Sequence, residues 1–297
     1  MGRPRALTPE QEEAILNRFH ANPSTSTRAV GLIQNIRHQV VHEVAVDDGL
    51  KPYHHQKVHK IKPEDRQHRM NFSGALIERM ENDPDFLSRI LFTDEATFTR
   101  DGIFNFHNNH TWSHANPHSN YVQGNQERFS VNVWTGIIGD HLIGPYIMPA
   151  RMTGLNYLIF LQDVLPELLE EVPLEIRNAM WYQHDGAPPN FHGAVQQHLH
   201  ATFPGRWMGR GGSIPWPARS PDKNPLDFFY WGFKKELVYD GTEIEDVEEL
   251  VARIAVAGGI IRVRAEELFP RVRESLVNRL HLCLRNDAQG GNFEHLL

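Results

Sequence analysis

The sequence predicts a mixed α/β body, preceded by a small all-α module and followed by C-terminal helices. Three observations predict it. Residues 8–50 repeat apolar side chains at helical spacing between clear start and stop signals. Residues 88–240 carry short alternating apolar runs, then alternate helix with strand. Residues 242–285 return to helical spacing. The 297 residues suffice for more than one domain, and 40% hydrophobic against 23% charged residues favours a buried core over a disordered chain.

In the first module Thr8 supplies an N-cap, Pro9 suits the first helical position and Gln11 closes a capping box. Ala14, Ile15 and Phe19 share one face until Asn22-Pro23 stops the helix. Ser24 to Thr27 starts a second helix, leading into Val30, Leu32 and Ile33. A third runs from about Ile36 to Val46, with Gly49 as its stop. Three short helices with tight connections predict a helix-turn-helix unit. Its third helix should present Arg37, His38, Gln39 and His42 outward, with Val40, Val41 and Val44 inward.

Residues 51–63 have four lysines and no helical period, so an extended basic connector is expected. A helix returns from Pro63 to Met80 and is broken by Asn82-Asp83-Pro84. Strands follow at Ile90-Leu91-Phe92, Val131–Ile138 and Leu142–Met148, then a helix from Gly154 to Glu170. Trp181–His184 reads as a short strand ending at Asp185. From Thr242 to Arg285 the chain is helical, with an interruption expected at Gly258-Gly259. The resulting division is 1–62 for DNA-binding module and connector, 63–87 for a linker helix, 88–240 for the α/β body and 241–297 for the helical end.

Charge sharpens this division. The whole chain carries −7, but residues 1–70 hold 11 Lys and Arg against 8 Asp and Glu, while the remainder is acidic. A basic module on an acidic body suits nucleic-acid binding by the first part alone. No apolar run approaches the length of a bilayer span, and the first twenty residues have no signal-peptide core. The single cysteine, Cys283, excludes an internal disulfide framework and should be buried and inert.

Three aspartates stand at the ends of apolar elements: Asp94 after Ile-Leu-Phe-Thr, Asp185 after Trp-Tyr-Gln-His, and Asp227 in Asn-Pro-Leu-Asp at a helix start. Mg²⁺ and Mn²⁺ take carboxylate oxygens, and two such ions can clamp an in-line phosphoryl displacement. Acids also commonly cap strands and helices, so spacing alone leaves both readings open. Other chemistries find less support. Gly205 to Gly212 holds Arg206 and Arg210 but lacks the Lys-Ser/Thr ending of a Walker loop. There is no Gly-x-Ser-x-Gly elbow and no His-Glu-x-x-His, and His192, His198 and His200 do not suggest a metal cluster.

The segments ILFTDEATF (90–98), WYQHDGAPPNF (181–191) and IPWPARSPDKNPLDFFYWG (214–232) resemble the catalytic signatures of mariner-like DNA transposases. VNVWTGIIGDHLIGPYIMP, PGRWMGRGG and the terminal GGNFEHLL are similar to the insect-type members, and residues 2–30 resemble a helix-turn-helix unit preceded by an AT-hook-like Gly-Arg-Pro-Arg. Asn190 stands where a histidine is common in that family. The resemblance implies an RNase H-like catalytic domain with Asp94, Asp185 and Asp227 as the catalytic, metal-binding triad. It further implies Mg²⁺ or Mn²⁺, two ions, cut-and-paste transposition of double-stranded DNA between terminal inverted repeats, a nuclear location and a homodimer on DNA. A DNA-binding protein of the same fold that no longer cuts, or an RNase H-like nuclease, is the alternative. Arg3 and Arg5 should enter the minor groove and Arg37 the major groove. Ile15, Phe19 and the segment after Trp112 are candidate dimer contacts.

Of the two acids in Ser-Pro-Asp-Lys-Asn-Pro-Leu-Asp, Asp227 is expected as the ligand and Asp222 as a brace for the turn. Asn224 should cap the helix that holds Asp227. Strand alternation should turn His184 and Glu95 away from the aspartates.

Overall fold

The computed structural model describes residues 7–53, 58–102, 128–240 and 243–297. The chain divides into two compact units, 1–57 and 58–297.

The first unit is three helices, α1 (Pro9–Ala21), α2 (Thr27–Gln34) and α3 (His38–Asp47). The α1 start forms as its residues dictate: Thr8 accepts from the Gln11 amide while the Gln11 side chain accepts from the Thr8 amide at 3.0 Å. Ser26 caps α2 in the same way, at 3.1 Å from the Ala29 amide. The α2–α3 turn passes through Asn35 in the left-handed region (φ 53°). A side chain at Gly31 would lie 2.5 Å from the Ile36 carbonyl oxygen, so only glycine lets the turn close this tightly. Ile15, Val30 and Val41 are fully buried, with Phe19, Ile36 and Val44 packed against them. Ile15 is therefore interior to its own unit rather than available to a dimer partner. Leu32 and Ile33 point outward. The third helix starts two residues later than the sequence predicts, because Arg37 takes the N-cap position with extended backbone.

The second unit begins with α4 (Pro63–Asn82), which packs against α11 (Ala265–Leu284). The segment expected as a linker helix is thus built into this unit. A five-stranded sheet follows: β1 (Ile90–Thr99), β2 (Ser130–Ile138), β3 (His141–Met148), β4 (Trp181–Gln183) and β5 (Trp207–Met208). The order is 3-2-1-4-5, with β1–β2 and β2–β3 antiparallel and β1–β4 and β4–β5 parallel. Only β2 runs against the others, which is the arrangement of an RNase H-like sheet. β1 runs on through the polar patch after Phe92, so Asp94 lies within a strand rather than at its end. Pairing with β2 continues through Thr99 and satisfies the backbone of this polar stretch.

Helices cover both faces. On one, α9 (Trp231–Val238), α10 (Val247–Val263), α11 and α4 enclose Phe92, Phe98, Val131, Val133 and Ile137. On the other, α5 (Gly154–Ile159) continues through a π-helical turn (Phe160–Val164) into α6 (Leu165–Leu168). With α8 (Gly193–Thr202) these cover Leu91, Trp134, Ile138 and Tyr182. Between them, α7 (Leu174–Ala179) leads into β4.

The interruption expected at Gly258-Gly259 does not occur. α10 passes through both glycines and ends at Val263. A Cβ on Gly258 would lie 2.8 Å from the Pro145 ring on β3, so this glycine permits close helix–sheet packing and does not break the helix. Cys283 is buried as expected. Among the described residues no helix is long and apolar enough to cross a membrane.

Candidate active site

Side-chain alternation in β1 sets the orientation of the site. Asp94 lies on the face of Phe92 and Phe98, opposite Thr135 of β2. Phe92 pairs with Gln183 across the parallel β1–β4 ladder, so Asp94, inside β1, and Asp185, just past β4, each stand two residues beyond that pair. The ladder finishes at Thr93, whose amide donates to Gln183 Oε1 at 3.2 Å and whose hydroxyl donates to the Gln183 carbonyl at 2.6 Å.

Asp227 arrives from a distant segment by a local device that the sequence displays. Asn224 Oδ1 accepts from the Leu226 amide at 3.1 Å, and the Asp227 amide donates to the Asn224 carbonyl at 3.0 Å. Asn224 Nδ2 also donates to the Thr93 carbonyl at 3.1 Å. The residue that starts the helix therefore also ties it to β1, one residue before Asp94. Asp227 lies in the first turn, a π-helical segment (Leu226–Tyr230) leading into α9. Trp231 Nε1 then donates to Asp94 Oδ2 at 2.7 Å.

The carboxylates interact. The charge of Asp185 bears on Asp94, and the charges of both bear on Asp227. Lost hydration pushes Asp94 up to about 6, opposed by the Trp231 bond and reinforced by the charge of Asp185. Asp227 rises to about 8, through lost hydration and then the charges of Asp94, Asp185 and Asp222. These values belong to the coupled pair. One flank of Asp227 stays open to solvent, so a cation can reach its oxygens. Asp185 Oδ1 accepts from the Ala187 amide and from Asn190 Nδ2, both at 2.8 Å.

Among the described residues, no three His, Cys, Asp or Glu side chains are gathered tightly enough to enclose one ion. The donor chemistry nevertheless fits a hard divalent cation such as Mg²⁺ or Mn²⁺. Three carboxylates sit close enough for their charges to act on one another, and all offer oxygen.

Asp222 is buried and forms a bidentate pair with Arg69 of α4, at 2.6 and 2.9 Å. Arg69 also donates to Ser220 Oγ at 2.8 Å and to the Gly290 carbonyl at 2.7 Å. Asp222 braces the turn, but through this distant arginine rather than its own backbone. His184 packs against Tyr157, Tyr182 and Trp207 on the opposite sheet face, and burial lowers its pKa to about 3. Glu95 lies on that face too; burial holds its carboxyl well above the usual range, with the Asp94 and Asp185 charges adding.

In the first unit Arg37, His38, Gln39 and His42 are all exposed at the start of α3, as alternation of its faces requires. Arg3, Arg5 and Trp112 lie outside the described residues. Arg69, Asn190 and Trp231 are the site residues that sequence reasoning missed in these roles. Only Trp231 left a signal, standing one helical turn after Asp227.

No protein-family profile matches the chain, and no curated protein does. Solved structures do. A Mos1 transposase paired-end complex with left transposon end is 16% identical, with a TM-score of 0.74 over 99% of this chain and 83% of that one. The Mos1 mariner paired end complex with Mn is 17% identical, with a TM-score of 0.73 over 99% and 82%. The isolated catalytic domain of Mos1 mariner transposase is 19% identical, with a TM-score of 0.60 over 80% of this chain and all of that one. At these identities the likeness concerns the fold, and the chain has the helix-turn-helix and RNase H-like fold of mariner transposase structures.

Proposed function

We propose that the protein is a divalent-metal-dependent DNA transposase that binds transposon ends, cleaves DNA strands and transfers them to a target. The observation that carries this is the convergence of three carboxylates: the β1–β4 pairing sets Asp94 beside Asp185, Asn224 ties the Asp227 turn to Thr93, and the charges of Asp94 and Asp185 act on Asp227. Asp94, Asp185 and Asp227 would hold Mg²⁺ or Mn²⁺, two ions in all. Bound there, the ions supply a deprotonated nucleophile and stabilise the leaving oxygen.

The chain's own residues do the positioning. Trp231 orients Asp94, Asn190 and the Ala187 amide fix Asp185, and Asn224 joins the Asp227 turn to β1. Arg37, His38, Gln39 and His42 would meet the major groove, with Arg3 and Arg5 in the minor groove. Cutting two ends and joining them to one target requires two active sites, so the working form is a homodimer on DNA. The site of action is the nucleus.

The test is strand cleavage of DNA carrying the sequences that flank the gene, with Mg²⁺ or Mn²⁺ present. Asp94→Asn, Asp185→Asn and Asp227→Asn should each lose cleavage by roughly a hundredfold or more, while DNA binding and fold survive. A parent protein that binds no DNA and cuts none with either metal refutes the proposal.

A further inference from the structure

Two arginines in the 204–212 segment have different fates. Arg206 donates to the carbonyls of Asn178 and Met180 and so fastens the start of β5. Arg210, just past the end of β5, is exposed, and its guanidinium lies 4.2 Å from the centre of the Phe191 ring. Among the described residues it has no carboxylate partner, and its N–H groups meet no protein acceptor. Its backbone is nonetheless anchored: the Arg210 carbonyl accepts from Gln196 Nε2 at 3.0 Å.

This pair adjoins the carboxylate site. Phe191 follows Asn190, whose side-chain amide holds Asp185. Gln183 and Met208 are the last paired residues of β4 and β5, and Asp185 and Arg210 each follow two residues after them. A chain of direct contacts thus runs from Asp185 through Asn190 and Phe191 to Arg210. Stacking on an aromatic face fixes the guanidinium plane and leaves its donor edge free. The unit that carries it is acidic, so an arginine without an acid partner is conspicuous.

The geometry points to Arg210, stacked on Phe191, as a binding site for a backbone phosphate of the DNA strand entering beside Asp185. A planar guanidinium with two parallel N–H groups matches two phosphate oxygens. Phe191 keeps it aligned, and beside the aspartates its positive charge would draw in a negatively charged strand. This rests on the proposed DNA-processing function and adds a residue to it.

The test uses the full chain and a fluorescent DNA duplex, with binding measured across a salt series. Loss of one phosphate contact should lower the slope of log K against log salt by about one and weaken binding roughly three- to tenfold. Arg210→Gln should do this. Phe191→Leu should retain the slope while weakening binding, since the charge stays and its alignment is lost. The two outcomes that sink the idea are separable. If Arg210→Gln binds with parental affinity and slope, the phosphate site is refuted while DNA binding stands. If the parent chain binds no duplex at any salt, the functional proposal and this site both fall.

Discussion

Replacing Asp222 by Asn should destabilise the second unit, whereas the same change at Asp227 should not. Arg69 is fully buried and Asp222 only 6% exposed, so their pair sits in a region of weak solvent screening. Lys223, also fully buried, has its Nζ 3.6 Å from Asp222. Asp222→Asn would leave two buried cations without their shared anion. Breaking a buried pair from one side costs about 3–5 kcal/mol, a large part of the roughly 5–15 kcal/mol by which a domain is stable. For a unit of this size that corresponds to a fall in Tm of roughly 6–20 °C. Thermal and urea unfolding, followed by tryptophan fluorescence, would measure it. Asp227→Asn replaces a carboxyl pushed up to about 8 by a neutral amide, so it should leave Tm unchanged near pH 7 and slightly higher above pH 8. Replacing both partners, as in Arg69→Met with Asp222→Leu, should recover part of the loss, because Lys223 is then the one buried cation of the two left without Asp222. An Asp222→Asn protein melting within a degree of the parent would refute this account of the turn.

Other outcomes follow from the same geometry. Trp231→Phe keeps a ring but removes the bond that lowers the Asp94 pKa, so the acid limb of the cleavage profile should move to higher pH; an unmoved profile would contradict the Trp231–Asp94 contact. Because the folded values of Asp94 and Asp227 are raised to about 6 and about 8 from 3.8, the folded state binds more protons than the unfolded one between about pH 4 and pH 8. Stability from this site is fully present at the acid end and falls as pH rises through that window. Added Mg²⁺ should raise Tm most near pH 8, and a metal effect largest at pH 5 would be inconsistent with it. Gly258→Ala forces a methyl group against Pro145 and should cost about 1–3 kcal/mol, read by urea unfolding. Arg37→Ala should weaken duplex binding and reduce its salt dependence by about one unit of slope; equal binding would remove Arg37 from the DNA-facing surface.

The sequence by itself determined the features that depend on neighbours along the chain. The capping box at Thr8 and Gln11, the stop before Pro23 and the cap at Asn224 all formed as written, because each hydrogen bond closes within four residues. Alternation along β1 likewise put Asp94 and Glu95 on opposite faces, since a strand allows no other choice. The aspartates could be named from their motifs because the chemistry suits their residue type. Only the tertiary structure decided which distant groups support them. Arg69 reaches Asp222 across 153 positions, and Trp231 reaches Asp94 across 137. No local period encodes such pairs. The meaning of Gly258 was undecidable for the same reason: a glycine that breaks a helix and one that admits a proline ring from another strand look alike until the strand is in place. Local bonding is written in the order of residues, while burial and charge pairing depend on which surfaces the folded chain brings together.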